Sequence, residues 1–295
     1  NASKHKAMSY ERMKKREVEL AAEVDRWLKA AEAADAEEDK LYGSRRGDEM
    51  PDWVADKQKR LAKIRAAKAE LEAEAKAAAA EEMRRRAAAE ERRIAEGRKK
   101  NGKTPAPPKQ EPDGKAQRNF TDPESRILKT KDGYIQGYNA QAAVDAEAQI
   151  IVAHGLTPSM SDQDQFVPLL DTTEDNLDRK PREASADAGY CSEANLAALA
   201  ARDIRGYIAT GRAKHPSDVK RKITGPLTKA MRDKLKRAGW RSRYRLRKQV
   251  VEPVFGQIKQ ARGFRQFLLR GIEKVTAEWA LICTAHNLTK LATAV

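Results

Sequence analysis

The amino-acid sequence predicts an α/β protein preceded by a long helical hairpin. Residues 8–96 are rich in Ala, Glu, Lys and Arg and carry thin apolar stripes at helical spacing. Residues 119–295 alternate short apolar runs, typical of strands, with amphipathic helical segments, which is the pattern of an α/β domain. The intervening residues 98–118 hold Gly, Pro, Lys and Asn with almost no large apolar side chain, which indicates a linker. We therefore expect a helical arm over 1–97, this linker, and one α/β domain.

Two helices are predicted within the arm, over 8–39 and 53–96. The first carries one narrow apolar seam with residues three and four apart, and the seam of the second gives way to alanines. The seam residues are Leu20, Val24, Trp27, Ala31 and Ala34 in the first helix and Leu61, Ile64 and Leu71 in the second. Because such thin seams are best buried against each other, we expect an antiparallel hairpin. Its balanced charge favours contact with protein, such as a second subunit, over a clamp on DNA.

The α/β domain is predicted to begin with a β-hairpin and to end with two helices. Strands over 137–144 and 149–156 are joined by a turn at residues 145–148. The later elements are a helix over 161–173, a strand over 183–188, a helix over 192–202 capped by Ser192, a strand over 204–209, and helices over 249–262 and 274–292. In the last helix we expect six inward-facing residues, namely Trp279, Leu281, Ile282, Ala285, Leu288 and Leu291.

Composition excludes several classes of protein. No apolar stretch is long enough to span a bilayer and no leader-like segment opens the chain, which predicts a cytoplasmic protein without a membrane partner. Cys191 and Cys283 lack zinc-ligand spacing and are interpreted as reduced packing residues. The four histidines share no ligand spacing either, and we assign His286 to packing or helix-end hydrogen bonding.

The net charge of +15 is concentrated in one window. Residues 212–248 hold 15 Lys or Arg against two acids, Asp218 and Asp233, which gives this window +13. Such a cationic surface suits a polyanion, because each neutralised phosphate releases condensed counterions. A solvated basic helix is the alternative, although Trp240 and Tyr244 lie within the window. We expect a basic insertion at about 212–243 that binds nucleic acid.

Two acidic residues stand out as candidate metal ligands. Asp187 follows a predicted strand and precedes Ala-Gly-Tyr, where ligands of α/β sheets gather. Glu252 lies seven residues before Lys259, so two helical turns place both side chains on one face. Pro253 predicts that this helix either begins near Glu252 or kinks there. A simple turn residue and an exposed charged pair remain the alternatives on this evidence alone.

Three segments resemble successive blocks of bacterial insertion-sequence transposases of the DDE class with a Tyr-Arg-Glu-Lys signature. They are GYNAQAAVDAEAQIIVAHGLT from Gly137, ADAGYCSEANL from Ala186 and VEPVFGQIKQARGF from Val251, and the opening NASKHKAMSY also resembles that family. The resemblance implies a ribonuclease H-like mixed sheet flanked by helices, with the helical hairpin inserted between its first and second strands. It assigns Asp187 as the second catalytic Asp, Glu252 as the catalytic Glu, and Lys259 as the signature Lys.

The resemblance leaves two parts of the signature irregular. Tyr244 and Arg247 are the nearest matches to the signature Tyr and Arg, but Arg247 lies five positions before Glu252 rather than four, where Lys248 stands. The first catalytic Asp of the family precedes a segment resembling NASKHKAMSY, so we expect it and its strand to lie outside this chain, which begins with Asn1. Asp145 matches no catalytic block and is interpreted as a turn residue.

The implied function is metal-dependent DNA strand cleavage and strand transfer. The resemblance implies two Mg²⁺ or Mn²⁺ ions on Asp187 and Glu252, in a cytoplasmic, nucleoid-associated bacterial protein. The expected partners are double-stranded DNA, at transposon ends and target, and a second copy of the chain in a homodimer. The expected DNA contacts are Lys259, Arg247, Tyr244, Lys248 and Arg245. The alternatives are an inactive truncated remnant that still binds DNA and a metal-dependent nuclease of the same fold.

Overall fold

The computed structural model describes residues 2–42, 52–99, 102, 105–130, 133–211, 225–238 and 243–294. These residues form two compact units, Ser3–Pro123 and Glu124–Val295, the second also including Asn1–Ala2. We call them the arm unit and the α/β unit. The boundary between the two units lies between residues 123 and 124. The predicted division into an arm, a linker and a domain at residues 97 and 118 stays a prediction. Among the described residues, no helix is both long and apolar enough to cross a membrane.

The arm unit is built on helices α1 (Tyr10–Tyr42) and α2 (Asp52–Ala95). Contacts between them pair the start of α1 with a later part of α2, and a later part of α1 with the start of α2. Tyr10, at the start of α1, donates to Glu72 at 2.8 Å. Farther along α1, Glu23 accepts from Lys57 at 2.6 Å, near the start of α2. The helices are therefore antiparallel, as the seams predict, and their buried core is Tyr10, Met13, Leu20, Leu61, Ile64, Ala67 and Leu71.

The end of the predicted linker folds against the start of α1. Strand β1 (Ala7–Ser9) pairs antiparallel with β2 (Gln117–Asn119), and the Tyr10 amide donates to the Ala116 carbonyl at 2.8 Å. Arg118 is 4% exposed and forms ion pairs with Glu70 and Glu74 on α2. Strand β2 is thus part of the arm unit, held by ladder hydrogen bonds and by a buried guanidinium.

The strands of the α/β unit form three pairs. β3 (Arg126–Thr130) and β4 (Gly133–Gly137) are antiparallel, as are β5 (Asn139–Val144) and β6 (Ile151–Thr157), whereas β7 (Glu183–Ala186) and β8 (Arg205–Ile208) are parallel. The α/β class is confirmed. Among the described residues each ladder has two strands, so the ribonuclease H-like sheet stays a prediction.

The sequence correctly predicted the turn of the β5–β6 hairpin and the start of helix α4. The turn between β5 and β6 is closed by Asp145, whose Oδ2 accepts from the amides of Glu147 and Ala148 at 3.0 and 2.7 Å. Its interpretation as a turn residue is confirmed. The Ser192 hydroxyl accepts from the Asn195 amide at 3.1 Å and caps the following helix as predicted.

The helices of the α/β unit are α3 (Phe166–Leu177), α4 (Glu193–Ala201), α5 (Pro226–Ala238), α6 (Arg247–Gly256) and α7 (Ile272–Ala294). A π-helical turn, Gln257–Ala261, continues α6. Of the two alternatives for Pro253, a helix start near Glu252 is wrong, because α6 begins at Arg247 and Pro253 lies inside it, and a kink there stays a prediction.

A distant side chain compensates for the proline inside α6. Proline has no N–H, so the Gln249 carbonyl four residues earlier lacks its usual helical donor. Gln149, in the β5–β6 turn, supplies one: its Nε2 donates to Gln249 O at 2.9 Å. Gln149 has a φ of 57°, and its Oε1 also accepts from Lys290 on α7 at 2.8 Å. The turn therefore holds α6 and α7 together at the cost of one left-handed residue.

Replacing Gln149 with alanine is expected to lower the free energy of unfolding by about 2 kcal/mol, because two side-chain hydrogen bonds, one to the Gln249 carbonyl and one from Lys290, are lost at about 1 kcal/mol each. Gln149→Gly is the matched control. Glycine removes the same hydrogen bonds but relieves the positive φ, so its loss should be about 1 kcal/mol smaller. Urea unfolding measures both variants. Equal stability of Gln149→Ala and the unaltered protein would contradict this role.

Two apolar clusters fill the α/β unit. One joins α3 and α4 to β7 and β8 and consists of Phe166, Leu170, Ala186, Leu196, Leu199, Ile204 and Ile208. The other joins the β5–β6 hairpin to α6, the π turn and α7 and consists of Ile151, Val254, Ile258, Trp279, Ile282 and Cys283. Both cysteines are free, as predicted, and Cys283 is buried.

The inner face of α7 differs from the prediction. Trp279 and Ile282 are buried as expected, but Leu281, Leu288 and Leu291 are exposed. The buried face instead continues to His286, which is fully buried. Leu281 is two residues from Trp279, and a rotation of about 100° per residue places it on the opposite side of the helix. The apolar pattern is compatible with more than one face, and the hairpin covers only one of them.

Candidate active site

Asp187 lies where β7 ends. Its backbone is extended, and its Oδ1 accepts from the Gly189 amide at 2.9 Å, capping a short 3₁₀ turn, Ala188–Tyr190. The side chain is half-buried. Because β7 and β8 are parallel, Asp187 stands at the carboxyl edge of this strand pair, the position expected for a ligand-binding residue.

A second carboxylate lies beside Asp187, and sequence reasoning missed it. Asp162 belongs to the loop between β6 and α3, and its Oδ1 accepts from Asn139 and Gln141 of β5 at 2.6 and 3.0 Å. A Cβ placed on Gly189 would lie 2.5 Å from Asp162 Oδ2 and 3.0 Å from Asp187 Oδ1. The two carboxylate oxygens are thus separated by no more than the sum of these distances. The only sequence signal for this site was the two-residue spacing of Asn139 and Gln141, which places both amides on one face of β5.

Tyr190 ties the Asp187 turn to β5. Its hydroxyl donates to Gln141 Oε1, and Asn195 Nδ2 donates to the carbonyls of Tyr190 and Gln163 at 2.8 Å each. Burial raises the pKa of Tyr190 well above its ordinary value, and the charges of Asp162 and Asp187 raise it further. The phenol therefore stays protonated at neutral pH and keeps its hydrogen bond.

Glu252 belongs to a second group of side chains. Its Oε1 lies 3.2 Å from Arg247 Nη2, and the Arg247 guanidinium lies 5.7 Å from the centre of the Tyr244 ring. Arg247 is 19% exposed and Glu252 is 53% exposed. The structure thus brings Tyr244, Arg247 and Glu252 together despite their irregular sequence spacing. Arg247 and Glu252 both lie in α6, and Tyr244 lies in the 3₁₀ turn that precedes it.

The remaining predicted residues are exposed around α6. Lys259 is in the π turn, with its Nζ 5.6 Å from the Phe255 ring centre. Arg245 and Lys248 are exposed at the start of the same helical segment. Among the described residues, Asp187 and Glu252 belong to separate hydrogen-bonded groups, the first with Gly189 and the second with Arg247. The turn before α6 does pack against β7 and β8.

The basic window is described only in part. Residues 212–224 and 239–242, and with them Trp240, lie outside the described residues. The described helix α5 is anchored at its start by Glu193, which accepts from the amides of Leu227 and Thr228 at 3.1 and 2.7 Å and from the Thr228 hydroxyl at 2.6 Å. These bonds, first the Thr228 hydroxyl, lower the pKa of Glu193. A Cβ on Gly225 would come within 1.9 Å of Glu193 Oε1, so a larger residue there would displace the Glu193 side chain from the start of α5.

One cation of α5 has a structural role. Lys234 donates to the Gly206 carbonyl at 2.9 Å and stands 4.2 Å from the Tyr207 ring centre. Burial lowers the pKa of Lys234, an effect that Glu183 opposes. This lysine fixes α5 on β8, and the other basic residues of α5 are available to define a cationic surface.

The donor chemistry beside Gly189 fits a hard divalent cation, because Asp187 and Asp162 both offer carboxylate oxygens. Among the described residues, no three Asp, Glu, His or Cys side chains gather in a metal-binding arrangement. The described residues thus provide part of the donor set that Mg²⁺ or Mn²⁺ prefers.

Comparison with known proteins identifies the family. Residues 113–288, more than half of the chain, match the family model described as "Transposase DDE domain". No curated protein and no solved structure is significantly similar to the chain. The match spans the three sequence blocks, the Asp187 turn and α6. The chain therefore belongs to the transposase DDE domain family.

Proposed function

We propose that this chain is a bacterial insertion-sequence transposase of the Tyr-Arg-Glu-Lys type that cleaves and joins DNA strands by in-line phosphoryl transfer. The family match over 113–288 carries the proposal. Transposases of this family generally use divalent metal ions and bind DNA. The position of Asp187 at a strand end and the grouping of Tyr244, Arg247 and Glu252 support it further.

Asp187 and Glu252 are proposed to hold the metal. When bound, Mg²⁺ or Mn²⁺ supplies activation of the attacking oxygen and stabilisation of the leaving oxygen. Gly189 N–H orients Asp187 through its hydrogen bond to Oδ1. Arg247 holds Glu252, and the Tyr244 ring in turn supports the Arg247 guanidinium. These contacts restrict both carboxylates before DNA arrives, which reduces the ordering cost of assembling the site.

Double-stranded DNA is proposed to lie along the basic surface. Lys259, Lys248 and Arg245 are exposed near Glu252 and are suited to phosphate contacts. Helix α5 would add sequence-independent affinity, held in place by Glu193 and Lys234. The helical arm is proposed to mediate homodimer contact, since its acidic and basic residues are balanced and some of them form exposed ion pairs with one another. Deleting the arm should then impair subunit assembly.

Asp187→Asn and Glu252→Gln are each expected to reduce DNA cleavage by about 10³-fold, because a lost metal contact costs several kcal/mol of transition-state stabilisation. The assay measures Mg²⁺-dependent nicking of supercoiled DNA and transfer of precleaved transposon ends. Asp145→Asn is the matched control, since Asp145 closes a turn by hydrogen bonds that asparagine can also accept. Unchanged cleavage by Asp187→Asn contradicts the proposal.

Two alternatives give different outcomes in the same assay. Salt-sensitive DNA binding without Mg²⁺-dependent cleavage by the unaltered chain would identify a DNA-binding remnant. Cleavage without transfer of precleaved ends would identify a metal-dependent nuclease. Cleavage with strand transfer supports the transposase.

A further inference from the structure

We propose that Asp162 is a positioning residue for Asp187, which fixes the Asp187 turn and strengthens its hold on a divalent cation. This inference rests on the proposed role of Asp187 as a metal ligand. Asp162 lies 25 residues before Asp187 in the chain and matches none of the blocks on which the family resemblance was based. Its assignment comes from contacts among β5, the loop before α3 and the turn after β7.

Asp162 is itself rigidly held. Its Oδ1 accepts from two amide side chains of β5, Asn139 at 2.6 Å and Gln141 at 3.0 Å. Gln141 is 3% exposed, and its other end accepts from the Tyr190 hydroxyl. Because a phenol that donates must face the amide oxygen, the Gln141 NH₂ group must face Asp162. The orientation of this buried amide is therefore determined at both ends.

Asp162 acts on Asp187 through Gly189 and Tyr190. The Gly189 amide donates to Asp187 Oδ1, so the position of Gly189 sets the position of that carboxylate. Asp162 Oδ2 occupies the space that a side chain at residue 189 would need, since a Cβ there would lie 2.5 Å from it. Tyr190, the next residue, is held by the same Gln141 that holds Asp162. The Asp187 turn is thus held both at Gly189, by Asp162, and at Tyr190, by Gln141, and these two residues are hydrogen-bonded to each other.

The charge of Asp162 adds a second effect. Two carboxylates lie on either side of Gly189, and their like charges repel when no cation is present. A divalent cation near Asp187 removes this repulsion, so the Asp162 charge favours metal uptake. Asparagine at 162 could accept the same two amide hydrogen bonds through its oxygen but carries no charge. Asp162→Asn therefore separates the charge from the scaffold, whereas Asp162→Ala removes both.

The test measures Mn²⁺ binding to the purified chain without DNA. The electron paramagnetic resonance signal of free Mn²⁺ reports how much of the ion remains unbound. Asp187→Asn is expected to lose binding. Asp162→Asn is expected to weaken binding about tenfold, the lower end of the effect of residues that orient metal ligands, without lowering the metal-free Tm, because the variant also loses the repulsion between the two carboxylates. Asp162→Ala should weaken binding at least as much and also lower the Tm. Asp164→Asn, an exposed acid in the same loop, should match the unaltered chain.

The outcomes distinguish the two proposals. Normal Mn²⁺ binding by Asp187→Asn, or no binding by the unaltered chain, overturns the metal role of Asp187 and this inference with it. Loss of binding in Asp187→Asn with normal binding in Asp162→Asn overturns the inference about Asp162 alone. Equal weakening in Asp162→Asn and Asp164→Asn also overturns it, because the effect would then be one of general charge.

Discussion

Replacing Trp279 with alanine is expected to lower the free energy of unfolding of the α/β unit by about 4 kcal/mol, near the upper range for a buried aromatic residue. Trp279 is 3% exposed at the centre of the cluster between α7 and the β5–β6 hairpin. Its ring stacks on Phe255 at 6.0 Å and meets the edge of Phe267 at 6.2 Å. Its indole N–H donates to the Gln141 carbonyl at 3.0 Å. Alanine loses the packing and leaves that carbonyl without its donor.

Urea unfolding of two further variants separates these contributions. Trp279→Phe keeps an aromatic ring but loses the N–H, so we expect a loss of about 2 kcal/mol. Leu281→Ala is the control on the same helix, because Leu281 is 71% exposed, and it should change stability by less than about 0.5 kcal/mol. A Trp279→Ala loss as small as that of Leu281→Ala would show that this cluster does not stabilise the unit.

His286→Ala is expected to cost about 3 kcal/mol, because it opens a cavity and breaks two buried hydrogen bonds. His286 is fully buried. Its Nδ1 lies 3.1 Å from Arg262 Nη1, and its Nε2 lies 2.9 Å from the Gln149 carbonyl. Arginine can only donate, so Nδ1 accepts and Nε2 carries the proton. The neutral ring thus joins α7 to the hairpin turn and to the residue that follows the π turn.

The same histidine makes stability depend on pH. Burial lowers the pKa of His286, and the charges of Arg262 and Lys290 lower it further, although the Gln149 carbonyl opposes this. Below the ordinary histidine pKa of 6.5 the unfolded chain takes up a proton that the folded ring resists. The contribution of His286 is therefore complete above about pH 6.5 and is lost as the pH falls towards the folded pKa.

Thermal unfolding between neutral and mildly acidic pH measures this dependence. The pH slope should become smaller in His286→Ala than in the unaltered protein. His154 adds a slope of the same sign, because partial burial also lowers its pKa, so His154→Gln shows how much slope this half-buried histidine provides. An unchanged slope in His286→Ala would contradict the role of this ring.

Several elements were predictable because their hydrogen bonds are local. Asp145 closes the β5–β6 turn with amides two and three residues away, and Ser192 caps α4 through an amide three residues away. The helices of the arm follow from composition and spacing in the same way. The three sequence blocks also predicted a DDE transposase, which the match over 113–288 confirms, whereas the insertion-sequence and Tyr-Arg-Glu-Lys type stays a prediction. The metal roles of Asp187 and Glu252 stay predictions.

Other features could not be predicted because they depend on distant partners. Pro253 predicted either a helix start or a kink, but Gln149 supplies the missing donor from 100 residues away, and α6 continues through the proline. Asp162 was not predicted from the sequence. Its role depends on β5 and the Asp187 turn, which the fold brings next to it. Leu281 was predicted to face the core, but the β5–β6 hairpin covers the other side of α7 and leaves Leu281 exposed.

The sequence by itself determined the family, the α/β class and most element positions, because periodicity, caps and turns act over a few residues. Only the tertiary structure decided which face of α7 is buried, which side chain satisfies the Gln249 carbonyl, and which carboxylate stands beside Asp187. The physical reason is that a buried polar group must be satisfied by whatever the folded chain brings within about 3 Å. That neighbour is set by chain topology, and local sequence does not encode it.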